Sequence, residues 1–218
     1  MWAVVPAKRL REAKQRLAGV LSPGERHDLA RAMLTDVLRC LSGIATLEGI
    51  VVVSGDPEIA EIAGSHRARV AADESAGHTA AVECGLRALR AQAANAALVL
   101  SADVPGISTA EVERLLAEHA QAAAKGTALT IVSDLRQDGT NAVCCSPLDA
   151  IRFSFGLGSL QRHLSAAREK GVAVTVLDLP SIALDIDEPE DLKALLASET
   201  QCGSARFLRE IGVARRLA

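Results

Sequence analysis

Short runs of Val, Ile and Leu recur along the chain, separated by longer stretches whose apolar residues return every three or four positions. This alternation is the strongest constraint on the fold. Short apolar runs bounded by turn residues suit strands buried on both faces, and the longer periodic stretches suit the helices that cover them. Strands are expected at Trp2–Val5, Ile50–Ser54, Ala97–Ser101, Thr127–Val132, Asn141–Cys145, Ala173–Leu177 and Ile182–Ile186. The pattern predicts an α/β fold in three layers, with a mostly parallel sheet covered on both faces. In such sheets ligands bind at the C-terminal ends of the strands. A chain of 218 residues without a long linker or internal repeat suits one domain over residues 1–218, with a helical tail from about residue 198.

The helices carry their own punctuation. In "SPGE", Ser22 is placed as N-cap, Pro23 as first residue and Glu25 as the partner of a capping box. Leu29, Met33, Val37, Leu38 and Leu41 follow at helical spacing, and Gly43 stops the run. Ser108 and Glu111 repeat the capping pattern before Val112, Leu115 and Leu116. Further helices are expected at about Pro57–Ala63, Thr79–Ala91, Ser159–Lys170 and Pro189–Leu196, and a last one from Ser204 to Leu217. His27 and His119 fall on amphipathic helices, where a solvent-facing position is expected.

Composition removes several classes of function. Aromatic residues make up 2% of the chain, which leaves no stacking platform for single-stranded nucleic acid. A net charge of −3 gives no global field that would draw in nucleic acid or a membrane surface. Cys40, Cys84, Cys144, Cys145 and Cys202 are odd in number and form no C-x-x-C, so neither a zinc site nor a disulfide framework is expected. Buried thiols in a reducing compartment fit better. No window approaches a membrane span, and "MWAVVPAKRL" does not read as a signal peptide, so a cytoplasmic protein is expected.

Four stretches could carry chemistry. In "VVPAKRLREAKQRLAG", Lys8, Arg9, Arg11, Lys14 and Arg16 follow the first strand, where many nucleotide-binding folds place a phosphate turn. There is no G-x-G-x-x-G and no Walker pattern, so cations would have to neutralise the phosphates directly. The plain alternative is a solvated basic surface. In "ALVLSADVPGIS", Asp103 ends a central strand, either as a metal ligand or as a turn residue before Pro105. In "LDIDEPEDL", Asp185 and Asp187 flank Ile186; in a strand both carboxylates would face one spot. Helix capping by Asp187 with Glu190 would explain one acid but not Asp185. In "DGTNAVCCSP" and "FSFGLGSLQRH", Thr140 and Asn141 open a strand, and Gly156, Gly158 and Ser159 precede a helix whose free N–H groups could hold an anion. Arg162 and His163 would add charge there. A glycine turn with a serine cap is the ordinary alternative. No Ser-His-Asp arrangement or nucleophile elbow is present.

Taken together and in this order, "VVPAKRLREAKQRLAG", "SADVPGIS", "DGTNAV", "FSFGLGSLQRH" and "LDIDEPEDL" span nearly the whole chain. The chain resembles the 2-phospho-L-lactate guanylyltransferase family of coenzyme F-420 biosynthesis, which includes enzymes acting on phosphoenolpyruvate and 3-phosphoglycerate. The resemblance implies a Rossmann-like nucleotidyltransferase fold related to GT-A glycosyltransferases, with GTP as co-substrate and Mg²⁺ as cofactor. It implies that Asp103, Asp185 and Asp187 hold the metal and that Thr140, Gly156 and Ser159 hold the acceptor. Lys8, Lys14 and Arg16 would face the GTP phosphates, with Asp103, Lys14 and Arg16 carrying the catalysis. After Asp73 the family's glycine-leucine-asparagine stretch, which meets the base, is replaced by "DESAGHTAAVECGL". Gly77 and Thr79 are expected on the nucleotide side there, and base selectivity is left open.

The implied reaction joins two anions. An ionised phosphate is already a nucleophile, so the site must neutralise and align rather than supply a base. Two other readings stand beside it: a related nucleotidyltransferase acting on a molybdopterin or sugar phosphate, and a nonenzymatic nucleotide-binding regulator. A homodimer is compatible with all three.

Overall fold

The computed structural model describes residues 1–72 and 77–217. Seven strands form one sheet: β1 (Trp2–Pro6), β2 (Gly49–Val53), β3 (Arg69–Ala71), β4 (Ala97–Leu100), β5 (Ala128–Ser133), β6 (Thr140–Ser146) and β7 (Ala173–Val176). Their order is β3-β2-β1-β4-β6-β5-β7. Every pairing is parallel except those of β6, which runs against both β4 and β5. The reversal matters for function. At the edge where β1 and β4 end, β6 begins, so Thr140 and Asn141 arrive beside Asp103.

Successive strand residues enter opposite cores, as the twofold strand period requires. Ala3, Val5, Val52, Leu98 and Cys144 join one, and Val4, Val51, Val99, Val143 and Cys145 join the other. The first core is covered by α1 (Pro23–Ser42), α2 (Pro57–Ser65), α4 (Thr109–Ala123), α7 (Pro189–Ala197) and α8 (Gly203–Glu210). The second is covered by α3 (His78–Arg90) and α5 (Ser159–Lys170). In α3 the residue that meets the sheet is Gly85; a Cβ there would stand 2.4 Å from Val4. Among the described residues no helix is long and apolar enough to cross a membrane. All five cysteines are free thiols; Cys144 and Cys145 are buried and the other three are partly exposed.

The α1 capping box forms as its sequence predicts, with Ser22 and Glu25 bonded reciprocally. Several expectations are corrected. Ile182–Ile186 is not a strand. Pro180 opens a short helix, α6 (Pro180–Ala183), and the chain leaves it extended without joining the sheet. The three-residue edge strand β3 has little apolar signal of its own. His119 is fully buried rather than solvent-facing, held between Thr130 Oγ1 at 3.0 Å and Ser146 Oγ at 2.8 Å. The tail is not one helix: α8 ends before Gly212, whose φ of +64° turns the chain into a 3-10 segment at Val213–Arg216. α8 docks on α1 through the buried Asp36, whose carboxylate accepts from Gly203 N–H at 2.9 Å, Ser204 N–H at 2.8 Å and Ser204 Oγ at 2.7 Å.

Candidate active site

Three segments converge at the edge where β1 and β4 end. The first leaves β1 and makes two 3-10 turns, Leu10–Glu12 and Gln15–Leu17, before α1. Lys14 lies between them in a left-handed conformation, φ 55° and ψ 40°, which aims its side chain inward. Its ammonium donates to Asp103 Oδ2 at 2.6 Å and to Asp187 Oδ1 at 3.0 Å. Burial would push the Lys14 ammonium toward neutrality, but Asp103 and Asp187 outweigh it and hold its pKa above the ordinary value. Arg16 is 67% exposed and stands 3.6 Å from Asp187 and 3.7 Å from Glu188.

The second segment is the end of β4. Burial would raise the Asp103 carboxyl; the Lys14 ammonium outweighs it and keeps it below its usual range. Asp103 Oδ2 is paired, yet Asp103 Oδ1 is buried without a hydrogen-bond partner. The third segment is the extended stretch after α6. Ile186 is fully buried, and its N–H donates to the Asp103 carbonyl at 3.0 Å, which pins the stretch to the end of β4. Asp185 and Asp187 flank that anchor. Burial pushes Asp185 up to about 6, aided by the negative charges of Asp103 and Asp187. The α7 cap differs from the expected one: Glu188 is the N-cap, and Asp191 accepts from the N–H groups of Asp187 and Glu188. The Asp187 carboxylate is therefore released from capping.

Lys8, Lys14, Arg16, His78, Asp103 and Asp187 line one cavity of about 400 Å³, floored by Met33 and Leu34 of α1. The acids offer hard oxygens, and the orphaned Asp103 Oδ1 lacks only a positive partner, so the donor set suits a divalent ion. Among the described residues no three acidic, histidine or cysteine side chains already stand as a ligand set. The Lys14 ammonium stands between Asp103 and Asp187, bonded to both.

Thr140 and Asn141 lie side by side on β6 and serve opposite faces. Asn141 Nδ2 donates to the carbonyls of Ile182 and Ala183 and to Asp185 Oδ1, each at 3.1 Å, and so carries the acidic segment. Thr140 faces α5, within 3.3 Å of Ser159 Oγ and 3.1 Å of His163 Nδ1. The loop Phe153–Gly158 closes over them, with Gly156 at φ +104° and Gly158 at φ +70°.

The expected nest of free N–H groups at the start of α5 is not found at Gly158, Ser159 and Leu160. Gly158 N–H donates to Asp138 Oδ2 at 2.8 Å, Ser159 N–H to the Gly156 carbonyl at 2.9 Å and Leu160 N–H to the Asp138 carbonyl at 3.0 Å. Gly158 is the cap, and Ser159 is already the first helical residue. Arg162 and His163 do not supply free charge. Arg162 bonds Ser154, Phe155 and Leu157 of the loop, and burial together with Arg162 lowers His163 to about 4, leaving it neutral.

The structure thus brings Lys8, Lys14, Arg16, Asp103 and Asp187 together at the cavity and ties Asp185 to β6 through Asn141, while Thr140 and Ser159 pair on the other face of β6, toward α5, and line no part of that cavity. Thr79 falls elsewhere than expected: its Oγ1 accepts from Phe155 N–H at 3.0 Å and so steadies the loop. Gly77 is the N-cap of α3, at φ +105°. Asp73, which marks the departure from the family's pattern, lies outside the described residues. His78 lines the cavity edge-on to Phe155, 4.9 Å between ring centroids, and burial lowers its pKa. Sequence reasoning did not assign Asn141, Asp138 or His163 their structural parts. The hydrogen-bond partners of their side chains are 20 or more residues away, except for Ser154, and no local spacing encodes them.

The family model described as "Guanylyl transferase CofC like" matches residues 1–217. The chain belongs to this family. It is similar to the phosphoenolpyruvate guanylyltransferase of Rubrobacter xylanophilus, 43% identical over 91% of this chain and 94% of that one. It is 37% identical to the enzyme of the same name from Conexibacter woesei, over 89% of this chain and 86% of that one. The 2-phospho-L-lactate guanylyltransferase of Methanothermobacter thermautotrophicus is 29% identical over 96% and 90%. Among solved structures, a putative nucleotide-diphospho-sugar transferase from Desulfovibrio desulfuricans superposes with a TM-score of 0.77 at 18% identity, covering 99% of this chain and 97% of that one. A Methanothermobacter nucleotidyl transferase does so at 0.66 and 20%, covering 96% and 98%. At these identities the structures speak for the fold, a nucleotidyltransferase α/β sheet. Family membership makes the chain a nucleotidyltransferase of the guanylyltransferase class.

Proposed function

We propose that this enzyme moves GMP from GTP to the phosphate of a small phosphorylated carboxylic acid, releasing pyrophosphate, as a step of coenzyme F-420 biosynthesis. Phosphoenolpyruvate is the first candidate acceptor because the nearer relatives above carry its name; 2-phospho-L-lactate and 3-phosphoglycerate follow. The observation that carries the reading is the meeting of Asp103, Asp185 and Asp187 beside a cation-lined cavity.

In this reading an acceptor phosphate oxygen forms a bond to the α-phosphorus while the bond to the pyrophosphate oxygen breaks. Asp103, Asp185 and Asp187 would hold Mg²⁺, which when bound neutralises phosphate charge and draws the reactants together. Lys8 and Arg16 bind phosphate at the cavity rim. Lys14 screens the acids from one another and adds charge at the reacting end. Thr140 and Ser159 hold and orient the acceptor, and the Met33–Leu34 floor excludes water beneath the nucleotide. No residue need act as base, since the nucleophile arrives ionised.

The test is direct. Purified protein is incubated with GTP, Mg²⁺ and each acid in turn, and products are read by mass spectrometry and pyrophosphate release. A guanylylated acid is expected with at least one of them. GTP binding without turnover on any acceptor would support a regulator instead.

A further inference from the structure

Beneath the loop Phe153–Gly158 the proton positions can be counted. Ser154 N–H donates to His163 Nε2 at 3.1 Å. A backbone N–H only donates, so Nε2 carries a lone pair and no proton. His163 is fully buried and neutral, so its one proton sits on Nδ1. Nδ1 lies 3.1 Å from Thr140 Oγ1 and therefore donates to it. Thr140 cannot donate in return. Ser159 Oγ stands 3.3 Å from the same oxygen. The two hydroxyls own two protons, and only one can lie between them. Thr140 is 8% exposed and Ser159 1%, so the remaining O–H has little water to meet. Among the described residues neither hydroxyl donates to a carbonyl or carboxylate. A buried donor left in this way is destabilising unless a ligand takes it.

We infer that His163 is a positioning residue: by donating from Nδ1 to Thr140 Oγ1, it turns one hydroxyl proton of the Thr140–Ser159 pair outward, as a donor to an ionised oxygen of the acceptor. The inference rests on the reading that Thr140 and Ser159 hold the acceptor. The imidazole touches no substrate. It fixes which way a hydroxyl points, and so favours a ligand atom that only accepts hydrogen bonds, such as a phosphate or carboxylate oxygen.

The experiment uses the full chain with GTP, Mg²⁺ and phosphoenolpyruvate, or whichever acid proves to be the acceptor. Thr140→Val and His163→Phe are each expected to raise the acceptor KM about tenfold, with the GTP KM within about twofold of the parent. The double variant should be no worse than Thr140→Val alone, because both remove one interaction. His163→Asn places an amide N–H where Nδ1 stands and should bring the acceptor KM back to within about threefold of the parent. A role in packing alone would leave asparagine as poor as phenylalanine, and that result, like additive effects in the double variant, overturns the inference. A normal acceptor KM in His163→Phe with a raised one in Thr140→Val overturns the inference and spares the acceptor site. A normal acceptor KM in Thr140→Val overturns both. Should His163→Phe fail to fold, Thr140→Val/His163→Asn replaces it: matching Thr140→Val supports the inference, and an added loss sinks it.

Discussion

Around Lys14 the cavity wall carries Lys8, Arg16, Asp103 and Asp187 above an apolar floor, facing a space that solvent can enter. Around Thr140 the groups are two hydroxyls and a neutral imidazole, all buried and mutually bonded. The first region sits on a loop shaped by 3-10 turns, and its residues hold one another by charge. The second sits where a strand meets a helix, and its residues hold one another by directional hydrogen bonds. In the proposed reaction a long triphosphate would be met by a charged rim and a small acceptor by directed hydroxyl donors. Charge attracts many anions; fixed donors separate them.

Changes on the two sides should therefore fail in different ways. The largest effect is expected from Asp103→Asn, which keeps the shape and removes the charge. Turnover, followed by pyrophosphate release, should fall by about a thousandfold or more. Near-normal turnover would break the acidic half of the comparison.

The neutral half is tested by acid. The unfolded chain takes up a proton at His163 near pH 6.5, and the folded chain only near pH 4. Stability is thus intact above pH 6.5 and declines as pH falls toward 4, by on the order of 3 kcal/mol. Arg162, the adjacent charge, acts in the same direction. Denaturant unfolding of the parent and of His163→Phe should diverge across this window. Parallel curves would show that the imidazole does not stay neutral in the fold.

Lys14→Met tests whether the ammonium holds the acids together. It strands Asp103 beside Asp187 and Asp185, at a cost of about 2 kcal/mol, reduced from a fully buried pair because both carboxylates are partly open to water. An unchanged urea midpoint would remove Lys14 from the framework. The smallest effect is expected from Arg16→Ala. Its exposed guanidinium should contribute less than about 0.5 kcal/mol to stability, yet its loss should weaken GTP binding as measured by calorimetry. Loss of stability without loss of affinity would reverse the assignment.

The inner strands were legible in the sequence because they are buried on both faces and read as continuous apolar runs, whereas the exposed edge strand β3 was not. The start of α1 was legible because Ser22, Pro23 and Glu25 form a local signal. The exceptions have physical causes. Ile182–Ile186 reads as a strand, but Pro180 and the side chain of Asn141 divert its backbone bonds. His119 reads as polar surface on its own helix; only the fold brings Thr130 and Ser146 to it. Of the site, the acids and cations were legible as residue types. What was not legible is that Asp191 rather than Asp187 works on the α7 cap, that Asp138 occupies the start of α5, and that His163 orders two hydroxyls. Each depends on contacts made only after the chain has closed.

The reversed strand has a further consequence. In β6 neighbouring positions feed different faces, Thr140 toward Ser159 and His163 and Asn141 toward the acidic segment. Parity alone keeps them apart, and an irregularity at Val132/Ser133 sets that parity where β5 pairs with β6. A one-residue slip of β6 would interchange the two half-sites without altering any side chain in either, and the pairing with β4 resists it. The connection between β5 and β6 is thus held to a fixed count as well as to the carboxylates of Asp134 and Asp138 that bond within and beyond it, and length variants there should abolish turnover.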